Sequence, residues 1–347
     1  MKFEKVVARP AADLTNIGAF RAENFPPSDV SPWLDRPDAC ERIDELLRRG
    51  EISVQQAQWC RSWVTDGYLI LKEMFGHEEL DETWNAYEAA IATGQLSPPR
   101  EYGEGVAGKP GRVLNPHFQL AQFERMLKAE QAIELVSLLL GAKALPFQTI
   151  AGHVGSQQKA HSDSIHMTTY PQGFLVANWI AFEDIAEDSG PLEFYPGSHR
   201  LSYVMSRDCG ISVEEGRAGY GAYHAKYEVA VQEQIRAHGL QPHHFHARKG
   251  DVLFWHANLL HGGSRIRNLD SSRRALVCHY FAEGCVCYHD YTGTPSHITE
   301  LPRRPMPKRS QFDPAEYLRL NPDVAAAGVD AWTHYVHHGH AEGRRIV

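Results

Sequence analysis

The sequence predicts a mainly β chain of the α+β class: a double-stranded β-helix, that is a cupin-like jelly roll, with an N-terminal helical buttress. Three observations predict it. Helical periodicity dominates residues 38–140, short β-textured runs bounded by Gly and Pro occupy about 145–283, and one long segment, 201–247, interrupts those runs with a helical centre. Short strands behind a helical front suit a double sheet covered on one side, and the interruption suits a lid or substrate loop.

The elements follow in order. Residues 1–36 carry Pro10, Pro26, Pro27 and Pro32 without periodicity and read as an extended arm. Cys40, Ile43, Leu46 and Leu47 lie at helical spacing, with Gly50 placed to end the helix. Ser53 and Gln56 have capping-box spacing and open a helix through Trp63, which Gly67 breaks. Tyr68–Leu71 reads as a short strand, and residues 78–92 as a helix with Leu80, Trp84 and Tyr87 on its apolar stripe. Residues 94–118 form a Gly- and Pro-rich loop, and 121–140 one helix stopped by Gly141. Strands are expected at 145–150, 161–167, 173–182, 192–195, 252–256 and 274–281, with a helix near 225–237 inside the interruption. The core domain thus runs over 37–301. A Pro-rich linker at 302–311 precedes a small helical motif at 312–347 built around Asn321-Pro322.

Composition removes several functions. Hydrophobic residues make up 43% and charged residues 22% of the 347, as in ordinary globular chains, and the net charge is −8. Without a basic excess, neither nucleic acid nor an anionic membrane is an expected partner. The N-terminus has no apolar core of a signal peptide, and no apolar run is long enough to span a bilayer. Six cysteines occur without a CxxC pair, so thiols in a reducing compartment are expected, and the cytoplasm is the expected location. Twenty histidines raise the weight of a metal site.

The stretch that bears on chemistry is Gln158-Lys159-Ala160-His161-Ser162-Asp163. On a strand, His161 and Asp163 would share one face with Ser162 turned away, so an imidazole and a carboxylate could converge. On spacing alone a surface pair on an edge strand is the favoured reading of that triplet, so the rest of the chain has to decide. A 2-His-1-carboxylate triad needs one more histidine from a distant strand and leaves positions open for co-substrate and oxygen. His256, inside the strand at 252–256, and His261, next to Gly262 and Gly263, both qualify. Arg273 and Arg274 follow, and a guanidinium beside such a pocket can grip the far carboxylate of a dicarboxylic acid bidentately. Both faces of the strand at 274–281 are apolar, so pattern alone chooses neither arginine.

The ordered set His161-x-Asp163, Trp179, Asp188-Ser189-Gly190-Pro191-Leu192, Pro196-Gly197-Ser198-His199, Gly250-Asp251, His261-Gly262 and Arg273 resembles the phytanoyl-CoA dioxygenase family of Fe(II)/2-oxoglutarate oxygenases. The resemblance runs from about Trp63 to Phe281. It implies that His161, Asp163 and His261 ligate Fe(II) and that Arg273 binds the distal carboxylate of 2-oxoglutarate. Trp179, Ile150 and the neighbouring Gln148 would contact that co-substrate. The family often has serine where this chain has Gly263, so the corresponding hydrogen bond would come from Ser264 or Thr149, or be missing. The implied chemistry consumes O2 and 2-oxoglutarate, releases succinate and CO2, and hydroxylates a C–H bond of a small molecule. In related halogenases a small residue replaces the carboxylate ligand, so Asp163 argues for hydroxylation.

The substrate would be read by the 94–118 loop and the 201–247 segment, with Arg112, Asn115, His117, Tyr220, Tyr223, His224 and His246 as candidate contacts. Few basic residues accompany these aromatics and histidines, which fits a small polar or amphipathic metabolite better than a CoA ester. Tyr317-Leu318, Asn321-Pro322-Asp323-Val324, His334-Tyr335, Gly339 and Glu342-Gly343-Arg344 resemble a short motif appended to assorted bacterial proteins, for which docking to a partner is one expected role. The histidines His334, His337, His338 and His340 are expected to decorate its helix. Two other functions compete: a silent cupin-like binding protein, against which the intact ligand set counts, and a metal-dependent isomerase or hydrolase, which would not need Arg273.

Overall fold

The computed structural model describes residues 6, 18–96, 108–298, 309–339, 344 and 346. Part of the Gly- and Pro-rich loop, part of the linker and His340 lie outside them. The helical buttress comprises α1 (Ala39–Arg48), α2 (Val54–Asp66), α3 (His77–Ala92), α4 (Ala121–Leu127) and α5 (Glu130–Leu140). The capping box at Ser53 is present: Ser53 Oγ accepts from the Gln56 N–H, and Gln56 Oε1 accepts from the Ser53 N–H at 2.8 Å. Gly67 closes α2 in the left-handed region with φ 77°, where a side chain would also run into His199. The single helix expected over 121–140 is two, because Ala129 is extended between α4 and α5. Nothing in the local sequence marks that break.

The large sheet has six strands in the order β1-β8-β5-β10-β3-β2. These are β1 (Tyr68–Leu71), β2 (Val113–Leu114), β3 (Ala144–Gly152), β5 (Leu175–Ala181), β8 (Val252–His256) and β10 (Ala275–Ala282), each antiparallel to its neighbours. Strand parity divides the core in two. Val176, Ile180, Val252, Phe254, Leu276, Cys278 and Tyr280 pack against the helices. Ala177, Trp179, Ala181, Leu253, Trp255 and Ala275 face the other way, onto Leu192, Phe194 and Phe245. A sheet buried on both faces reads as continuous apolar runs, which is why the sequence could not choose between adjacent arginines.

The opposite wall consists of two small sheets, β7-β6-β9 and β12-β11-β4. Their strands are β4 (Thr168–Tyr170), β6 (Leu192–Phe194), β7 (His243–Phe245), β9 (His261–Gly263), β11 (Val286–His289) and β12 (Thr294–Ile298). Four of these, β7, β9, β11 and β12, were not expected, being short or polar. The strand expected over 161–167 is also different. His161 makes an isolated bridge, Asp163–Ile165 is a 3-10 turn, and the strand begins at Thr168. The turn forms because the N–H groups of His166 and Met167 both donate to the Asp163 carbonyl.

The interruption holds α6 (Val213–Arg217), a π-helical turn Tyr223–Tyr227 and α7 (Glu228–Ala237). Arg21 of the N-terminal arm donates to the carbonyls of Ile211 and Tyr291, tying the arm to this segment. The C-terminal motif forms α8 (Pro314–Leu320), α9 (Pro322–Ala327) and α10 (Ala331–His334) around Phe312, Tyr317, Val324 and Tyr335. His334 there hydrogen-bonds the Tyr317 hydroxyl at 2.9 Å. Among the described residues no helix is long and apolar enough to cross a membrane.

Candidate active site

His161 and His261, a hundred residues apart in the chain, face each other across one backbone pair. The His161 N–H donates to the His261 carbonyl at 2.9 Å and the reverse bond is 2.8 Å. A reciprocally bonded antiparallel pair sets its side chains side by side, and the ring centroids are 4.5 Å apart. Each ring is then fixed by its own chain: His161 Nδ1 lies 2.9 Å from the Lys159 carbonyl and His261 Nδ1 2.9 Å from the Leu259 carbonyl. A carbonyl only accepts, so Nδ1 carries the proton in both rings and Nε2 is left bare for a metal. The 3-10 turn brings Asp163 in as the third group, Oδ1 standing 3.6 Å from His261 Nε2. One ligand atom from each of these buried side chains lies within 4.8 Å of the others. The convergence read from the sequence is therefore present, but by a bridge and a turn. Ser162 is buried, its N–H donating to the Tyr227 hydroxyl at 3.0 Å.

Two residues not singled out from the sequence as site residues complete this cluster. Trp255 Nε1 donates to Asp163 Oδ2 at 2.8 Å, and His279 Nε2 lies 3.8 Å from the same oxygen. Parity was the available signal, since Trp255 shares a face with Leu253, and His279 with Ala275 and Val277. Burial would raise the Asp163 pKa, but His261, His279 and His161 outweigh it and hold the carboxyl below its usual value. Burial, with His261 alongside, pushes His161 well below the ordinary histidine value. Charged carboxylate and neutral imidazole are the states a metal needs.

Arg273 shares the parity of Ala275, Val277 and His279 and enters the cavity; Arg274 turns out to Glu88, Glu183 and Trp84. Only 6% exposed, Arg273 stacks its guanidinium 5.6 Å from the Trp179 ring and donates to the Gly190 carbonyl at 3.1 Å. It makes no ion pair among the described residues, and its Nε has no partner. Burial, then Arg112, pulls its pKa down to about 10. A buried cation without a counter-ion is costly, and a ligand carboxylate would remove the cost.

A cavity of about 670 Å³ joins these groups. Gln148, Ile150, Trp179, Arg112, Tyr220, Tyr223 and His224 line it as expected. Four expected residues do not. Asn115 and His117 instead bond Thr149, which points to the opposite face of β3 from Gln148 and Ile150. His246 is exposed beside His244, and the buried Ser264 hydroxyl has no partner and lies off the cavity wall. Neither Ser264 nor Thr149, the two residues considered for the hydrogen bond left open at Gly263, lines the cavity. His256 is a core histidine, bonded to Asp35 and the Asn258 N–H.

A buried two-histidine, one-carboxylate cluster inside a jelly roll defines the class, a cupin-type non-haem iron site. The sequence model of the family described as phytanoyl-CoA dioxygenase (PhyH) matches residues 63–275, more than half the chain, and the protein belongs to that family of iron- and 2-oxoglutarate-dependent enzymes. The peroxisomal phytanoyl-CoA dioxygenase of Rattus norvegicus is 22% identical over 310 residues, covering 82% of this chain and 85% of that one. The Homo sapiens protein of the same name is 27% identical over 151 residues, 42% of this chain and 39% of that one. Among solved structures, the non-heme alpha ketoglutarate dependent carbocyclase SnoK from nogalamycin biosynthesis superposes with a TM-score of 0.51 at 16% identity, covering 68% of this chain and 87% of that one. EctD from S. alaskensis, solved with 2-oxoglutarate and 5-hydroxyectoine, gives 0.50 at 18% identity, covering 67% and 76%.

Proposed function

We propose that this protein hydroxylates a C–H bond of a small, polar metabolite, with His161, Asp163 and His261 holding Fe(II). Bound iron supplies the coupling of O2 reduction to the decarboxylation of 2-oxoglutarate to succinate and CO2, and to oxidation of the substrate. The chain's own residues do the rest. Arg273 grips the distal carboxylate of 2-oxoglutarate in its planar fork, Trp179 holds that guanidinium in place, and Gln148 and Ile150 flank the co-substrate. Trp255 turns Asp163 so that Oδ1 is the oxygen offered. Asp163 occupies the position that a halide would have to take, which supports hydroxylation over halogenation. The 201–247 segment supplies Tyr220, Tyr223, His224 and Glu228 to the cavity wall. The observation that carries the reading is the pairing of a three-ligand cluster with a buried arginine that has no counter-ion.

The reading keeps the division into arm, oxygenase domain, linker and C-terminal motif, with docking as the motif's role, and the cytoplasm as the location. The test is succinate release from 2-oxoglutarate with Fe(II) and a metabolite extract. Asp163→Ala should abolish it, and Arg273→Leu should weaken 2-oxoglutarate at least roughly tenfold, the loss of one charge-assisted bond. Turnover that survives both substitutions would remove the oxygenase reading.

A further inference from the structure

The cavity has two unlike halves. Arg273 and Trp179 form one group of lining side chains, and the His161 ring, 6.0 Å from His166, joins the ligand cluster to a second group around Tyr220 and Tyr223. The far half is walled by Gln158, Lys159, His166, Tyr220, Tyr223, His224, Glu228 and His289, most of which the reaction above leaves unused.

We infer that this far half is a subsite for a compact, uncharged ring bearing several hydroxyl groups, of the sugar or cyclitol class, seated on Tyr220 and Tyr223 and held by Gln158, Lys159, Glu228 and His224. The inference rests on the assignment of the Arg273 end to 2-oxoglutarate. Charge comes first. Glu228 is buried, and both its oxygens are engaged, by Lys159 Nζ at 2.7 Å and His224 Nδ1 at 2.9 Å. Lys159 is thereby neutralised. The His166 ring lies flat against Tyr223 at 5.0 Å and 29° and 6.0 Å from Tyr220, so it extends the aromatic wall. Arg112 lies close enough to both Arg273 and His166 to disfavour charge on each, so it stands between the two groups of lining residues. The remaining polar surface consists of imidazole, phenol and amide groups together with a balanced ion pair. Such groups donate and accept alike, as hydroxyl groups do. Tyr223 is buried and its hydroxyl makes no hydrogen bond of normal geometry, the Gln158 side chain being its polar neighbour.

Shape agrees with charge. Tyr220 is 44% exposed on the cavity wall, stacked on Tyr291 at 5.8 Å and 15° and set edge-on to Tyr223 at 5.7 Å. That is a flat platform whose electron-rich face suits the C–H face of a saturated ring. A quaternary cation could also sit on such rings. Here, though, it would find no free carboxylate oxygen, since both oxygens of Glu228 are already engaged. A long acyl-CoA would need unpaired cations for its phosphates and an apolar channel, and this half offers neither.

The test uses the full chain. With Mn(II) in place of iron, 2-oxoglutarate binding is measured by calorimetry. With Fe(II) and O2, succinate release is then measured with methyl hexopyranosides, methyl deoxyhexopyranosides, inositols, choline and palmitoyl-CoA. At least one sugar or cyclitol should raise release roughly tenfold above the uncoupled rate, equivalent to one order in binding or rate. Tyr220→Ala and Glu228→Gln should each remove most of that gain, with 2-oxoglutarate affinity in the same samples reporting folding. Absence of 2-oxoglutarate binding would overturn the oxygenase reading and this inference with it. Intact binding with a response only to choline or palmitoyl-CoA, or to no probe, would overturn this inference alone, as would a full response from Tyr220→Ala.

Discussion

Trp255→Phe isolates one hydrogen bond at the metal site. Trp255 is 2% exposed, and its indole N–H is the donor that Asp163 Oδ2 engages at 2.8 Å, while Oδ1 faces His261. Phenylalanine keeps a ring against His261, 4.8 Å away in the native protein, and removes only the donor and some volume. A hydrogen bond to a charged group is worth about 1.5–3 kcal/mol, and about 1.4 kcal/mol is a factor of ten. The variant should therefore bind metal roughly 10- to 100-fold more weakly, the range seen for groups that orient a ligand. The assay is anaerobic titration of the metal-free protein with Co(II), read by its visible absorption. The band should also change in shape, because a freed carboxylate can rotate and offer both oxygens. Thermal unfolding of the metal-free variant separates lost affinity from lost fold. An affinity within about twofold of wild type with an unchanged spectrum would refute the claim that Trp255 orients Asp163.

Three further predictions concern stability. Burial lowers the pKa of His199 to about 3 and of His289 to about 4, so below the unfolded value of 6.5 the unfolded chain binds protons that the folded chain refuses. Stability should be complete above that value and fall toward pH 4, by about 2 kcal/mol per histidine at about pH 5, and a flat urea midpoint for metal-free protein across this window would contradict it. Ser53→Ala removes the capping box of α2 and should cost about 1 kcal/mol in chemical denaturation, with Ser53→Gly costing less. Tyr227→Phe leaves the buried Ser162 N–H without its acceptor and should cost about 1–3 kcal/mol, together with a measurable loss of metal affinity; unchanged metal binding would detach the lid from the ligand segment.

What could be read in the sequence depended on the kind of signal. Ser53, Gln56 and Gly67 mark α2 because capping acts over four residues of chain. The proposed iron ligands and Arg273 came from an ordered motif set, since parity within the strand could not separate Arg273 from Arg274 in a sheet apolar on both faces. His161 and Asp163 were rightly paired, but the physical reason was different: a long-range bridge to His261 and a local turn. No local pattern encodes a bridge between residues a hundred positions apart. Asn115 and His117 were misjudged for a related reason. They lie in a loop near the cavity, but their partner is Thr149, whose parity takes it to the helical side. The short polar strands β7 and β9 went unread because His243–Phe245 and His261–Gly263 have almost no β-propensity, and cross-strand pairing with β6 makes them strands.

The bridge and the Tyr227 contact together limit how a substrate can enter. The ligand segment is held on one side by the reciprocal bonds between His161 and His261, and on the other by the Tyr227 hydroxyl under the Ser162 N–H. Lifting the whole 201–247 segment would strip that second support from the metal ligands each time the cavity opened. The tie need not break, however, because Tyr227 sits late in the segment and Tyr220 early in it. Tyr220 lies between Gly219 and Gly221, where even an added Cβ would meet nothing within 4 Å. Tyr223, next along, is pinned through its N–H to the Tyr291 hydroxyl. With the Gly219 carbonyl held by the Tyr291 hydroxyl and the Tyr220 carbonyl by the His224 N–H, rotation of the Tyr220 side chain alone would swing its ring aside and leave Tyr223, Tyr227 and the proposed iron ligands in place. In such an arrangement the residue proposed to seat the substrate would move, while those proposed to hold the metal would not.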